Sequence, residues 1–224
     1  MGHIDTDHVF VTWSNENNDR EDPAYFAPST IELEQRLTEA GAVKLEDIAL
    51  FSADRFDPHE CDSFFYIDIG SIDVRTGGIH AAEIDVDDAP SRARWKVSTG
   101  DILLSSVRPE RGTVGRVPPM LDGAIASSGF FVLRPVDGSP HTAAALLLFL
   151  LTEQFRVQAI RRASSSMYPV INETELRTVL VPINVLTEAT PAVDHLREAD
   201  VALGRAAKEL AAAREWMADR LPTI

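Results

Sequence analysis

Arg92, Arg94 and Lys96 alternate along the chain, so on an extended backbone their side chains share one face. Arg108, Arg111 and Arg116 surround a Pro-Gly loop. Arg161 and Arg162 directly precede Ala163-Ser164-Ser165-Ser166-Met167-Tyr168-Pro169. Such residues can hold a polyanion. Guanidinium groups grip phosphate or the guanine edge through two parallel hydrogen bonds. Hydroxyls such as that of Ser165, loop amides and a neighbouring Tyr168 add phosphate contacts. A plainer reading stands beside this one. Arg161 and Arg162 suit the negative end of a helix, and the remaining cations form a solvated face. On composition alone the plainer reading is ahead.

The charge distribution bears on this choice. The net charge of the 224-residue chain is −14. Residues 1–90 carry 5 basic and 21 acidic side chains, residues 91–182 carry 11 and 7, and residues 183–224 carry 5 and 7. A locally basic section therefore lies inside an acidic chain, and local charge decides where a polyanion docks. The acidic first section would repel DNA and faces solvent or a basic partner.

Catalytic signatures are missing. The chain has no phosphate-binding G-x-x-x-x-G-K-[ST], no G-x-G-x-x-G, no G-x-S-x-G and no H-E-x-x-H. It lacks the Asn-Pro-Pro-Tyr of an adenine methyltransferase, and no lysine completes a nuclease pattern after Glu83-Ile84-Asp85. Asp68, Asp73 or Asp101 in a metal-dependent hydrolase is an alternative, but buried, turn-capping aspartates explain these positions better. His3, Asp5, Asp7 and His8 have ligand chemistry but lie in a tail, and His59 with Cys61 lacks a second pair, so no metal or other cofactor is expected. Asn172-Glu173-Thr174 has the form of a glycosylation acceptor, an empty match in a cytoplasmic chain. The lone Cys61 rules out an intrachain disulfide and fits a reducing, cytoplasmic setting. The first residues lack the regions of a signal peptide. The apolar run from Ala143 to Leu151 is far shorter than the ~20 residues of a membrane span.

The elements that position these residues read as α+β. Val9 to Trp13 suggests a short strand in an otherwise irregular start. Ser29 to Ala40 reads as a helix, with capping-box spacing between Ser29 and Glu32 and Gly41 as its stop. Phe64 to Ile69, Ile79 to Ile84, Asp101 to Val107, Thr113 to Val117, Gly129 to Leu133 and Val179 to Ile183 read as strands. Thr76-Gly77-Gly78 reads as a turn, and His141 to Arg162 as one strong helix with Leu147, Leu151 and Phe155 on its core face. The expected architecture is a curved, mostly antiparallel sheet with a few helices, followed by a long C-terminal helix. In Thr190 to Leu221, Leu196, Leu203, Leu210 and Met217 recur every seven residues, as do Ala192, Ala199, Ala206 and Ala213. This is a coiled-coil seam that needs a partner surface. A second copy of the chain would supply one; the helix folding back on its own domain is the alternative.

Several segments in order resemble one family. Tyr66-Ile67-Asp68-Ile69-Gly70-Ser71-Ile72-Asp73 looks like the opening of a target-recognition domain of type I restriction–modification specificity subunits. Ala89-Pro90-Ser91-Arg92-Ala93, then Gly100-Asp101-Ile102-Leu103-Leu104-Ser105-Ser106-Val107-Arg108-Pro109, is similar to that family's next segments. So are Ile125-Ala126-Ser127-Ser128-Gly129-Phe130, Arg134-Pro135, and Tyr168-Pro169-Val170-Ile171 with Val181-Pro182. Lys44-Leu45-Glu46-Asp47-Ile48 resembles the family's opening, and the final helix its spacer. The resemblance implies a recognition domain over 1–186 and a spacer or dimerisation helix over 187–224. It implies a non-enzymatic subunit that reads double-stranded DNA and recruits a methyltransferase and often a nuclease. Full subunits carry two such domains and two helices, so this chain resembles half of one and is expected to form a homodimer. A scaffold of a defence complex that has lost DNA binding is the alternative. Base contacts do not carry over by motif, so Arg92, Arg94, Lys96, Arg108, Arg111, Arg116, Arg161, Arg162, Ser165 and Tyr168 are proposed on physical grounds alone.

Overall fold

The computed structural model describes residues 27–164 and 167–220. The strand expected at Val9 to Trp13, the His3–His8 group and Ser165 lie outside them. Helix α1 (Pro28–Glu39) starts without a side-chain cap, so the Ser29/Glu32 box does not form. Pro28, whose fixed φ suits a first turn, takes that role. Gly41 ends the helix as expected, with φ +75°: its N–H donates to the Thr38 carbonyl and that of Ala42 to Leu37, closing the last turn.

The strands form two four-stranded sheets and a short pair. In the first sheet β2 (Ala49–Phe51), β9 (Phe130–Pro135), β6 (Ile102–Ser105) and β7 (Val114–Arg116) lie side by side, all antiparallel. The second has the order β4 (Ala82–Asp85), β3 (Ser63–Ile67), β8 (Ile125–Ser127) and β5 (Ala93–Lys96). Only the β3–β8 pair in these sheets is parallel. β1 (Val43–Lys44), followed by the one-turn helix α2 (Leu45–Ile48), pairs with β10 (Leu180–Val181).

Strand periodicity explains the layering. In β6, Ile102 and Leu104 enter one core with Val114, Leu133, Leu146, Leu150 and Phe155. Leu103, between them, enters a second core with Ile67, Val97, Ala126, Phe130 and Val132. Side chains alternate across a strand, so an unbroken apolar run means both faces are covered. The first sheet is therefore sandwiched between helices and the second sheet. Gly115 in β7 is required by this closeness: a Cβ there would sit 2.9 Å from the Gly77 carbonyl oxygen in the Thr76-Gly77-Gly78 turn.

The helix expected from His141 to Arg162 is two, α3 (Pro140–Leu150) and α4 (Glu153–Arg162), bent by 69°. Thr152 makes the break. Its hydroxyl donates to the Phe149 carbonyl and accepts from the Phe155 N–H, capping α4. α3 is buried on nearly all sides, consistent with its apolar sequence. No single helix among the described residues is long and apolar enough to cross a membrane. In α4, fully buried Gln158 donates to the Leu180 carbonyl and accepts from the Leu180 N–H, so its amide completes the hydrogen bonding of β10. The short helices α5 (Glu173–Arg177) and α6 (Ile183–Thr187) flank β10, and the domain boundary expected at 186/187 falls near the end of α6.

α7 (Thr190–Ala218) is the expected long helix, about 43 Å at 1.5 Å per residue. Val193 is buried with Ala144 and Ala145 of α3, and Leu196 packs beside them. The seam's first leucine thus serves the chain's own core, and exposed Ala192 is not part of that contact. Every residue from Arg197 to Ala218 is exposed, with Leu203 at 46%, Leu210 at 55% and Met217 at 52%. α7 packs against α3, and α1 against α4 and β10.

Candidate nucleic-acid interface

β5 presents Arg94 and Lys96 outward, while Ala93 and Trp95 face inward and are half-buried; exposed Arg92 precedes them. One flank of β5 bonds β8. The other is closed by Asp54–Phe56: the Phe56 N–H donates to the Arg94 carbonyl, and the Lys96 N–H to that of Asp54. This brings up Arg55, which the sequence analysis did not select. The guanidinium groups of Arg94 and Arg55 lie 4.9 and 5.9 Å from the Trp95 ring centroid, within cation–π range. Lys96 is partly neutralised by Glu60 at 3.0 Å, whose hydrogen bond and charge hold the ammonium pKa above its ordinary value. Arg55, Arg92 and Arg94 are exposed cations of this edge that are ion-paired with no carboxylate among the described residues.

A second corner is built around Arg108. Val107 bridges Val170, and the Arg108 N–H donates to the Pro169 carbonyl. Arg108 has φ 52° and ψ 62°; among the described residues it is the non-glycine residue in the left-handed region. Such a conformation persists where surrounding structure imposes it. Here the Pro169 contact on one side and the Pro109–Arg111 turn on the other do so. The Arg108 guanidinium stacks 4.8 Å from the Tyr168 ring, and no carboxylate among the described residues is ion-paired with it. Tyr168 is 61% exposed and Met167 84%, and Arg111 is exposed beside them.

Three arginines grouped with these in the sequence have internal roles instead. Arg161 and Arg162 both pair with Glu34 of α1. Arg162, 8% exposed, also donates to the Thr178 hydroxyl. Arg116 pairs with Asp200 of α7. The reason is tertiary: the acidic early and late segments supply the carboxylates, and these pairs fasten α1 to α4 and α7 to β7.

The aspartates weighed as catalytic have structural partners. Buried Asp101 receives two hydrogen bonds from Arg134, at 2.6 and 2.8 Å, and one from the Ser98 N–H. Arg134 also reaches Asp54 at 2.9 Å, which holds that carboxyl below the usual range. Asp73 accepts from the Arg75 N–H in the turn, as a capping aspartate does, although it is only half-buried. Asp68 caps the Ile69–Ser71 turn and is exposed rather than buried. No cluster of three metal-ligating side chains occurs among the described residues.

Three of the segments that carry the family resemblance converge. Tyr66, Asp68, Ile69 and Gly70, then Pro90, Ser91 and Arg92, then Ser127, line one open cleft of about 360 Å³. Its rim is exposed Asp68, Gly70, Pro90, Ser91 and Arg92, and its floor is Tyr66, Ile69 and buried Ser127. The cleft adjoins the basic edge, because Arg92 belongs to both.

No family model matches the chain. It is 26% identical over 190 residues to the type I restriction enzyme HindI specificity subunit of Haemophilus influenzae, covering 78% of this chain and 40% of that protein. The HsdS subunit of Thermoanaerobacter tengcongensis superposes with a TM-score of 0.57 at 26% identity, over 75% of this chain and 45% of that one. A chain from a structure of type I restriction–modification complex assembly and conformational transition gives 0.58 at 26%, over 81% and 49%. The chain thus spans less than half the length of each of these relatives. Sequence, fold and the ordered segments together make the chain similar to type I restriction–modification specificity subunits, over a stretch that fits one target-recognition domain.

Proposed function

We propose that this chain is a sequence-specific DNA-recognition subunit of a restriction–modification or related defence complex. It performs no chemistry itself and acts in the cytoplasm, where it brings a methyltransferase, and in many such complexes a nuclease, to double-stranded DNA. Any S-adenosylmethionine belongs to the methyltransferase. Residues 1–186 form the recognition domain, and 187–224 the spacer and dimerisation helix. The observation that carries this reading is the Arg55–Arg92–Arg94 edge, exposed on a family-typical domain in an otherwise acidic chain. With the Arg108–Tyr168 corner it supplies cations and an aromatic face for backbone and base contacts. The exposed Leu203, Leu210 and Met217 stripe supports a twofold homodimer through α7, which would read two half-sites of inverted symmetry. The test is electrophoretic mobility shift with duplex DNA across a salt series, with the chain alone and with its methyltransferase. Binding that weakens steeply with salt supports the reading. Binding absent in both settings overturns it in favour of a protein scaffold.

A further inference from the structure

Most of α7 stands clear of its own domain. Val193 is buried against Ala144 and Ala145 of α3, and Leu196 packs beside it, but every residue from Arg197 to Ala218 is exposed. Within that length Asp200 reaches back to the domain and pairs with Arg116. Two further ion pairs of α7, Asp194–Arg197 and His195–Glu198, lie within the helix itself. Arg116 is mounted firmly. It ends β7 opposite Ile102 of β6, and the next residue is fixed: the Val117 N–H donates to the Asp101 carbonyl, and the Val117 carbonyl accepts from the Gly100 N–H. Two residues on from buried Val114, the Arg116 side chain leaves the sheet on the same face, the one that α3 covers.

This pair adds little to folding, because its side chains are 27% and 43% exposed and solvated ion pairs are worth little. Its leverage is geometric. At 1.5 Å per residue Asp200 lies about 10 Å along the helix from Val193, and Ala218 about 37 Å. A displacement at Asp200 is therefore magnified about three and a half times at the end of the helix. The seam dictates what that end meets. In an antiparallel pairing centred between Gly204 and Arg205, Ala192 faces Met217 of a second copy, Leu196 faces Ala213, Ala199 faces Leu210 and Leu203 faces Ala206. Every layer sets one large side chain against one small one, so the axes run at an even distance. The two Val193 roots then stand about 35 Å apart along the paired helices, close to one turn of B-DNA.

We propose that Arg116 and Asp200 are positioning residues for DNA specificity: by fixing the angle at which α7 leaves the domain, the pair sets the separation at which two copies read their half-sites. The proposal rests on the homodimeric DNA-recognition reading above. The full chain, alone or with its methyltransferase, first selects its site from a randomised duplex library. That site is then rebuilt with the gap between its halves lengthened or shortened by single base pairs. Wild type, Arg116→Ala, Asp200→Ala and the reversed pair, Arg116→Asp with Asp200→Arg, are compared by mobility shift. The wild type should prefer one gap by about tenfold. Each single variant should flatten that preference to about twofold while binding an isolated half-site as before, and the reversed pair should restore it. Asp200→Ala separates this role from a phosphate contact, because losing a carboxylate takes no cation from the DNA. Single variants that keep the wild-type gap preference, or a flattening that the reversed pair leaves in place, overturn the positioning role and leave DNA recognition standing. A wild type that binds only one half-site, as a monomer, overturns the positioning role and the homodimer. A wild type that binds no DNA, alone or with its methyltransferase, overturns DNA recognition as well.

Discussion

Replacing Asp101 by asparagine removes the charge from a pair that ties β6 to β9 beneath the basic edge. Asp101 is 3% exposed and takes both prongs of the Arg134 fork, at 2.6 and 2.8 Å. Removing one partner of a fully buried pair costs about 3–5 kcal/mol, mostly because the other charge is stranded. Arg134 is less severely stranded here: about a third of its side chain is exposed, and it keeps Asp54 at 2.9 Å. Asparagine also retains one acceptor. An expected loss of about 2 kcal/mol follows. For a domain of this size that corresponds to a melting temperature lower by roughly 4–8 °C. Thermal denaturation followed by circular dichroism measures it, and urea titration should show a lower midpoint at unchanged slope. Arg134→Met alone should destabilise, and the double variant should lose less than the sum of the two singles. A change under about 0.5 kcal/mol for Asp101→Asn, or strict additivity, would refute the assignment of this pair as a structural tie.

Other expectations follow from the same geometry. Glu34→Gln removes the carboxylate charge that Arg161 and Arg162 share between α1 and α4 and should destabilise the chain by about 2 kcal/mol, read by chemical denaturation; an unchanged midpoint would mean that this pairing is not structural. Arg108→Ala should weaken DNA binding severalfold while moving the melting temperature little, because its guanidinium stacks on exposed Tyr168 rather than on a buried carboxylate; a large drop in melting temperature with unchanged affinity would contradict this. Leu203→Asp should convert a light-scattering dimer to a folded monomer; a wild-type monomer at tens of micromolar, alone and with its methyltransferase, would contradict pairing through α7.

What could be read in the sequence was local. The apolar run Ile102-Leu103-Leu104 announces a strand covered on both faces, Gly41 announces a helix end, and the heptads announce α7. The Thr152 break was hidden because no glycine or proline separates α3 from α4, and a threonine caps as readily as it continues a turn. Two-residue strands such as Val43–Lys44 carry no periodicity to detect, and the parallel β3–β8 pairing is a matter of topology. For the candidate site, alternation put Arg94 and Lys96 on the outward face of β5, whereas Arg92 lies in the turn before it. It could not show that Arg116, Arg161 and Arg162 meet carboxylates more than 80 residues away. Nor could it show Arg55, a lone cation in an acidic stretch, whose signal exists only once the chain brings it onto Trp95.

The most direct test of DNA recognition is the salt dependence of duplex binding, by fluorescence anisotropy, for the wild type and for the chain with Arg55, Arg92 and Arg94 all changed to alanine. A steep fall of log affinity with log salt is expected for the wild type. In the triple variant the slope should be shallower by about 0.9 for each phosphate that the missing arginines no longer neutralise. Equal slopes and affinities for the two proteins would contradict the assignment of this edge as the DNA-binding surface.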